Sequence, residues 1–414
     1  MGNLAGKFGA ASHRVRRPSQ TSLSLISLGL LALTAFPTIH ADTADLTIGN
    51  AEISGKHSSR LETSKNRETN TAPAKRSSKE PVFSTAMCRP ITLRDNDTNA
   101  LIVGAEDIAI DHKNGDLFIS AYDRRAVEKS ASRKSSSKIP EGGLYKVNFE
   151  TLSTMPNELS LKSLIRREDV EGGLRPHGIT LDQQSNEVVF INRAFKKIGK
   201  NWKQSSHIRR VGAKGAIIIT QSTKTHCAAN DLVTNKSTVL VSFDHANCNW
   251  SGRMEDIFNL PRSGIVGENT SRPFFQTARH ANGLIALGET KMVLAATRDK
   301  ALHFLRPNHD GSLEPTGTVK VPGGPDNLTL GQDGKIIAAV HPSLFKMGLH
   351  RKLGWGRAGS RIVSVDPDTR HVTLLYDDPS GKQFQAATVG ARHDNILVLG
   401  SVTDKGLLVC KAAQ

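Results

Sequence analysis

Pairs of adjacent polar or small residues, most of them with side-chain oxygen atoms, recur along this chain of 414 residues. Each pair stands just ahead of a short apolar strand, and a second apolar strand follows after a hydrophilic turn. The pairs are Glu106-Asp107, His177-Gly178, Asn230-Asp231, Asn282-Gly283 and Asp326-Asn327, with Ala386-Ala387 at the sixth equivalent place. A single pair would be an ordinary turn signal, because Asn, Asp and Gly dominate strand entries. Recurrence at the same place in successive repeats favours a shared role.

The chemistry of these pairs is that of a hard metal ion. Carboxylates, amide oxygens and backbone carbonyls, without a thiolate, are the ligands that calcium takes in proteins. The pairs contain no lysine or arginine, so carboxylates gathered at one point would repel one another unless a cation were bound. We therefore expect calcium where the pairs converge.

Two histidines accompany these pairs. His177 replaces an acid in the second repeat, and His341 ends the second strand of the fifth. Histidine is a poor calcium ligand, but its pKa near neutrality suits a general base. A packing or surface role is the ordinary alternative for a lone histidine, and the sequence leaves both roles open.

The elements that must position these residues are short apolar strands bounded by Gly, Asn, Asp and Pro, whereas helical periodicity is scarce. The repeats start 44 to 71 residues apart, which is typical of four-stranded propeller blades with insertions. In a propeller, the first strand of each blade lines the central axis. The sequence thus predicts an all-β fold, a six-bladed β-propeller with a central calcium-binding tunnel, over residues 85–414.

The basic charge is concentrated outside the repeats. The formal net charge is +16, yet residues 193–214 alone carry eight Lys and Arg and no acid. Basic strands interleaved with aromatic residues are missing from the sequence, which argues against nucleic acid as a partner. The basic loops are either solvated or contact anionic envelope polymers or lipid headgroups.

The N-terminal residues are typical of an exported protein. Residues 1–41 contain a basic region, an apolar run from Leu23 to Phe36 and a cleavage site expected after about Ala41, as in a secretory signal peptide. Residues 42–84, rich in Ser, Thr and Lys, read as a disordered linker. We expect a secreted or periplasmic protein.

The four cysteines are Cys88, Cys227, Cys248 and Cys410. Three pairing schemes are possible. A Cys88–Cys410 bond would fasten the two ends of a closed structure, and Cys227 and Cys248 are close enough in sequence to pair locally. Free thiols are the alternative, which an oxidising compartment disfavours.

With these motifs the sequence resembles the paraoxonase/arylesterase family of six-bladed calcium lactonases, over about residues 85–412. The motifs that carry the resemblance are Ala-Glu106-Asp107-Ile, Pro-His177-Gly-Ile179, Asn230-Asp231, Ala-Asn282-Gly, Gly-Pro-Asp326-Asn327, His341-Pro and Gly-Leu-Leu-Val-Cys410. The resemblance implies two calcium ions in the tunnel and active-site roles for His177 and His341. It implies an upper, catalytic ion held by Glu106, Asn230, Asn282, Asp326 and Asn327. It implies a lower, structural ion held by Asp107, Asp231 and the backbone carbonyl of Ile179, and a disulfide between Cys88 and Cys410.

One position departs from the family pattern. Where the family motif reads Val-Asn-His, this chain has Ile191-Asn192-Arg193. An arginine cannot act as a base at ordinary pH, so activities that need a histidine pair at this place are in doubt. Arg193 is instead a candidate contact for a substrate carboxylate or acyl carbonyl.

The function expected is calcium-dependent hydrolysis of lactones or activated aryl esters, with His177 as the general base and Asp326 or Glu106 as the next choice. Two alternatives stay open. One is a non-enzymatic calcium propeller that binds an extracellular ligand. The other is a gluconolactonase-type hydrolase of sugar lactones, whose usual single-metal arrangement fits the doubled motifs less well.

Overall fold

The computed structural model describes residues 80–133, 136–214, 223–235, 238–268, 270 and 272–412. The predicted signal peptide and the predicted linker up to residue 79 lie outside these residues. Phe83, within the predicted linker, is 1% exposed, and its N–H donates to the carbonyl of Leu375. No helix in the described part of the chain has the length and apolar character needed to cross a membrane.

The described residues form 24 strands and four α-helices. The strands are β1 (Cys88–Asp95), β2 (Ala105–Asp111), β3 (Asp116–Ala121), β4 (Gly143–Asn148), β5 (Glu158–Leu161), β6 (Pro176–Asp182), β7 (Glu187–Ile198), β8 (Asn201–Gly212), β9 (Thr223–Lys224), β10 (Ala229–Asn235), β11 (Thr238–Phe243), β12 (Ser263–Gly267), β13 (Pro273–Ala278), β14 (Ala281–Leu287), β15 (Lys291–Ala296), β16 (Ala301–Pro307), β17 (Leu313–Lys320), β18 (Gly324–Leu330), β19 (Ile336–His341), β20 (Ser360–Val365), β21 (Val372–Asp378), β22 (Ala387–His393), β23 (Ile396–Ser401) and β24 (Leu407–Lys411). The helices are α1 (Arg124–Ser132), α2 (Phe149–Ser153), α3 (Trp250–Ile257) and α4 (Leu344–Leu353).

These strands form six sheets, the blades of a propeller. Blade 1 contains β2 to β4, blade 2 β6 to β9, blade 3 β10 to β13, blade 4 β14 to β17, blade 5 β18 to β21, and blade 6 β22, β23, β24, β1 and β5. Blades 2 to 5 have the four strands predicted. Blade 1 has three in the described residues, because β5 pairs in parallel with β1 of blade 6 instead.

The inner strands close a ring. Each inner strand contacts that of the next blade, and β22 of blade 6 returns to β2 of blade 1. Apolar side chains fill the spaces between blades, as where Leu117 of blade 1 packs with Val398 of blade 6. The six-bladed β-propeller predicted from the repeat spacing is therefore confirmed, and its axis is lined by the polar pairs.

Every inner strand carries a β-bulge at its polar pair. Between Ala105 and Asp107 the register against β3 shifts by one residue, and the equivalent shift recurs in β6, β10, β14, β18 and β22. A bulge sets two residues against one on the partner strand and re-aims their side chains. In blade 6 the bulged residue is Thr388, between Ala387 and Val389. The sixth polar position is thus Thr388, and not the Ala386-Ala387 pair expected.

Glycines in blades 2 and 4 let neighbouring inner strands approach closely. A Cβ atom on Gly178 would lie 2.4 Å from the carbonyl oxygen of Asn230. A Cβ atom on Gly283 would lie 2.6 Å from the carbonyl oxygen of Asp326. A Cβ atom fits at neither distance, so both positions must be glycine. The same position is an acid in blades 1 and 3, where it is Asp107 and Asp231.

Two of the basic segments expected to be loops are regular elements. Residues 193–212 belong to the long hairpin of β7 and β8, which pairs as far as Ile198 and Asn201. The Arg-rich insert after β3 begins with α1, whose first N–H groups are capped by the side chain of Asp123. Of the two elements, α1 brings a cationic side chain, that of Arg124, to the end of the tunnel where the inner strands begin.

Both expected cysteine pairs form disulfides. Cys88 lies opposite Cys410 where β1 closes blade 6 against β24, and the bond joins residues 322 apart in sequence. The Cys227–Cys248 bond spans the β10–β11 hairpin. The described chain has no free cysteine.

Candidate active site

The inner strands begin at a cavity of about 400 Å³, here called the mouth cavity. Five of the predicted site residues line it: Glu106, Asn230, Asn282, Asp326 and His341. Thr388 supplies the polar side chain of blade 6. Residues from five of the six blades therefore meet at one point, as the repeat pattern predicts.

The remaining predicted residues lie deeper or beside the cavity. Asp107 and Asn327 are each 2% exposed in the tunnel wall, and Asn327 Nδ2 donates to the carbonyl of Glu106. Asp231 and Ile179 also border a cavity of about 480 Å³ at the opposite end of the tunnel. Two residues of the predicted lower set, Asp231 and Ile179, thus lie toward the opposite end from the mouth cavity, whereas Asn327 of the predicted upper set is outside the cavity lining.

Glu106 already has a cationic partner. Arg124, the first residue of α1, places Nη2 2.7 Å from Glu106 Oε1 and 2.9 Å from Oε2. Burial raises the pKa of Glu106, but the charges of Arg124 and His177 outweigh it, so the pKa is lowered. The polar pairs themselves contain no arginine, yet Glu106 contacts one because α1 folds back over the tunnel.

His177 lies beneath this ion pair and is 1% exposed. Its Nδ1 is 2.5 Å from Glu106 Oε2, which fixes the ring and leaves Nε2 as the atom able to accept a proton. Arg124 Nη2 lies 2.9 Å from both ring nitrogens of His177. Burial and then the charge of Arg193 lower the pKa of His177 to about 3, against the opposing carboxylate of Glu106. The imidazole is therefore neutral at ordinary pH and weakly basic.

His341 forms a second histidine–carboxylate pair. Its Nε2 lies 2.6 Å from Asp326 Oδ2. The pair joins the two ends of the β18–β19 hairpin, since Asp326 is in the bulge of β18 and His341 ends β19. Buried His341 Nδ1 has no hydrogen-bond partner among the described residues. The prediction that His341 faces the same cavity as Asp326 agrees with this geometry.

Asp107 and Asp231 form the deeper acidic pair. Asp107 Oδ2 accepts from the N–H of Ile179, and Asp231 Oδ2 accepts from the N–H of Leu284, in each case across to the next blade. Burial, and then the neighbouring charge of Asp231, raise the pKa of Asp107. Burial and the charge of Asp326 raise the pKa of Asp231 to about 7. Two buried acids in contact are the arrangement that a cation would stabilise.

Two amide oxygens give independent evidence on whether these residues fit a cation. Asn282 Oδ1 and Asn327 Oδ1 are buried and have no hydrogen-bond partner among the described residues. A buried unpaired acceptor is costly, and each one calls for an explanation. Together with the carboxylates of Asp231 and Asp326, they form an all-oxygen donor set that suits calcium. The residues of the tunnel therefore fit a calcium ion, whereas Glu106 fits one only when Arg124 releases it.

Arg193 lies beside the cavity and outside its lining. Its Nη2 makes a long contact of 3.4 Å with the carbonyl of Ala229, and its Nε has no partner among the described residues. Its charge lowers the pKa of His177. Arg193 therefore tunes His177 through its charge, and no contact in the structure makes it a base.

Several lining residues escaped the sequence interpretation. They are Arg124, Asp244, Asp256, His280, Arg298, Arg351 and Lys352. His280 forms a third histidine–carboxylate pair, with Nδ1 3.0 Å from Asp256 Oδ1. The sequence offered one signal for some of these residues. Because the strands are antiparallel, the residues just after the second strand of each blade return to the mouth cavity. That rule locates Arg124, Asp244 and Arg298 as readily as it located His341.

Comparison with known proteins adds one sequence match and several structural ones. Residues 252–411 match the Arylesterase family model. No curated protein shows significant similarity to the sequence.

The structural matches are distant. A periplasmic gluconolactonase of Pseudomonas aeruginosa is similar with 11% identity and a TM-score of 0.40, covering 75% of this chain and 89% of that chain. A luciferin-regenerating enzyme is similar with 12% identity and a TM-score of 0.43, covering 78% and 95%. A functionally unknown protein from Desulfotomaculum acetoxidans is similar with 9% identity and a TM-score of 0.42, covering 74% and 89%. At these scores the likenesses carry no argument about the site.

The sequence match covers the inner strands of blades 4, 5 and 6. It therefore includes Asn282, Asp326, Asn327, His341 and Cys410 of the motifs on which the resemblance rests. Glu106, His177 and Arg193 lie before it. The predicted resemblance is confirmed: residues 252–411 carry the pattern of the Arylesterase family.

Proposed function

We propose that this protein is a calcium-dependent hydrolase of lactones or activated aryl esters. The observation that carries the proposal is the convergence of oxygen ligands at one cavity, with the His341–Asp326 pair in its lining and His177 buried against Glu106. The Arylesterase family match of residues 252–411 supports the reaction class. The two disulfides agree with a secreted or periplasmic location.

Calcium is proposed at two levels of the tunnel. Asp107, Asp231 and the carbonyl of Ile179 would hold the lower ion. Asn230, Asn282, Asp326 and Asn327 would hold the upper one, joined by Glu106 when Arg124 moves away. When bound, the upper ion would supply Lewis acidity for the scissile carbonyl and charge for the developing oxyanion.

The protein's own groups would handle the proton. With His177 as the general base, the carboxylate of Glu106 accepts a hydrogen bond from Nδ1–H of His177, and Nε2 takes a proton from the attacking water. The water oxygen bonds to the carbonyl carbon, the acyl carbon–oxygen bond breaks, and the proton passes to the leaving alkoxide. Arg124 must turn away for this step, because its Nη2 is 2.9 Å from Nε2.

The Asp326–His341 pair is the alternative base. It is favoured by one observation, that both residues line the mouth cavity directly. Replacing each histidine by glutamine separates the two assignments. We expect the variant of the true base to lose about 100-fold or more in kcat, since general-base catalysis contributes about that much. His309→Gln, an exposed histidine beyond the β16 strand, is the matched control.

The test is a rate assay of the purified protein on lactones of increasing acyl length, aryl esters and sugar lactones, with and without a calcium chelator. Turnover of lactones or aryl esters that stops on chelation and returns with calcium is the expected result. A preference for sugar lactones would support the gluconolactonase-type alternative. Bound calcium without turnover of any ester would identify a non-enzymatic calcium propeller, and absence of both would end the proposal.

A further inference from the structure

One side of the mouth cavity is formed by α4, and its inward face is defined by helical spacing. Leu344, Met347, Gly348 and Arg351 line the cavity, at positions that share one face of a helix. Lys352 lines it as well, at the rim. The wall is therefore apolar along most of the helix and cationic at its C-terminal end.

The position of α4 is fixed by α1 and by blade 6. Arg125 of α1 donates to the carbonyls of His350 and Arg351 at the end of α4. The buried ring of His350 lies 3.0 Å from Thr403 Oγ1. The hydrogen bonds from Arg125 bring a guanidinium to the C-terminal carbonyls and partly offset their negative potential. The cationic end of α4 is thus held against α1 and blade 6.

The two charged residues of α4 that line the cavity, Arg351 and Lys352, are both cations, whereas the whole lining holds four Arg or Lys and four Asp or Glu residues. Arg124, Arg193 and Arg351 are close enough to oppose one another's charge, with Glu106 and Glu128 as the acids acting on Arg351. Glu106 is engaged by Arg124. Glu128 approaches Arg351 Nη1 only to 3.7 Å, beyond hydrogen-bond distance. The guanidinium of Arg351 therefore remains available for a ligand that enters the cavity.

We propose that the Arg351–Lys352 end of α4 is an anion subsite, which selects lactones or esters whose apolar body carries a carboxylate or phosphate group. The proposal rests on the proposed function and names the substrate class of the same site. A guanidinium matches either oxyanion through paired N–H donors. Leu344 and Met347, on the inward face of α4, would contact the body of the substrate between the anion and the reacting carbonyl.

The first experiment compares matched substrates on the calcium-loaded full chain. Lactones of one ring size and chain length end in a carboxylate, in a phosphate, or in a neutral amide. We expect kcat/KM to be about tenfold or more higher for an anionic member, and the advantage to shrink as ionic strength rises. The carboxylate and phosphate arms identify the preferred anion. Equal or faster turnover of the amide would overturn the proposal.

The second experiment asks whether α4 carries the preference. Arg351→Gln and Lys352→Gln should each lower the anionic-to-neutral ratio of kcat/KM about fivefold, as expected for one partly desolvated charge contact. Lys346→Gln removes the same charge from an exposed position of the same helix, outside the cavity lining. It should leave the ratio and the activity unchanged. An equal fall in the Lys346→Gln variant would mean a general field effect and would refute the subsite.

A binding measurement keeps the proposal testable if no lactone is hydrolysed. Glutarate and inorganic phosphate are titrated calorimetrically into the calcium-loaded protein. Binding that weakens about fivefold in Arg351→Gln, and not in Lys346→Gln, would support the subsite even if the proposed activity fails. Hydrolysis of neutral lactones without anion binding or preference would leave the proposed function standing and reject the subsite alone.

Discussion

Arg124 and Glu106 form a buried ion pair at the mouth of the tunnel, with Arg124 Nη2 2.7 Å from Glu106 Oε1. Glu106 is also the acid of blade 1 expected to bind the upper metal ion. A guanidinium and a calcium ion cannot both take the same carboxylate oxygens. The pair therefore places an internal cation in competition with calcium for one ligand.

Removing this competitor is expected to strengthen calcium binding. In Arg124→Gln the carboxylate of Glu106 loses its counter-ion, and we expect calcium affinity to rise about tenfold, the effect of about 1.4 kcal/mol. Calorimetric titration of the chelator-treated protein measures it. Lys129→Gln, an exposed change on the same helix, should leave the affinity as it was. Weaker binding in Arg124→Gln would show that Arg124 supports the site.

The acids Asp107 and Asp231 predict how calcium-free stability depends on pH. Both have pKa values raised by burial, that of Asp231 to about 7. A carboxyl with a raised folded-state pKa binds its proton more tightly in the folded state. The stabilisation that this proton gives the folded state is complete below the pKa of the unfolded chain, near 4. It is lost as pH rises through the folded-state pKa of about 7. Without calcium, the free energy of unfolding should fall by about 3 kcal/mol between about pH 4 and pH 8.

Calcium should abolish that loss, because the bound ion stabilises the two charged carboxylates. Thermal unfolding with and without a chelator, at several pH values, measures both effects. Asp231→Asn should remove most of the pH dependence, because the pKa of Asp231 sets its window, whereas Asp368→Asn, on the exposed turn after β20, should retain it. A calcium-free protein that is more stable at about pH 8 than at about pH 5 would contradict the prediction.

The repeated inner strands could be predicted from the sequence more fully than the segments that fold over the mouth of the tunnel. Asp326, Asn282 and Asn230 stand at the same place in successive repeats, so a recurring local pattern was enough to bring them to one axis. Arg124 belongs to none of the repeated pairs, and its contact with Glu106 depends on α1 folding back over the tunnel. Thr388 was missed for a similar reason. The bulge in β22 begins one residue later than the Ala386-Ala387 pair suggested, and bulge positions depend on strand pairing.

The Cys88–Cys410 disulfide should contribute more to stability than Cys227–Cys248. It closes the ring by joining residues 322 apart, against 21 for the other bond. Loop-closure entropy in the unfolded chain gives about 6 kcal/mol for the first and about 3 kcal/mol for the second. Denaturant unfolding of the two double serine variants, Cys88→Ser/Cys410→Ser and Cys227→Ser/Cys248→Ser, tests the order. A larger loss in the second variant would contradict it.

Asp95 ties the closing strand β1 to blade 1. Its Oδ2 accepts from the hydroxyl of Tyr145 at 2.7 Å and lies 2.5 Å from Arg167 Nη2. Burial raises the pKa of Asp95, but hydrogen bonds from Arg167, Tyr145 and Thr98 outweigh it, so the pKa is lowered. Asp95→Asn leaves Arg167 without its partner, and we expect a loss of about 2–4 kcal/mol near neutral pH.

The pH dependence follows from the direction of that shift. A lowered pKa gives stability that is present above the unfolded value, near 4, and is lost as pH falls through the folded value. The difference between the wild type and Asp95→Asn should therefore be greatest near neutral pH and shrink below about pH 4. Asp97→Asn, an exposed change two residues away, should stay close to the wild type throughout. A difference that persists unchanged in acid would mean that Asp95 stabilises β1 through packing, because an ion pair cannot survive protonation of its carboxylate.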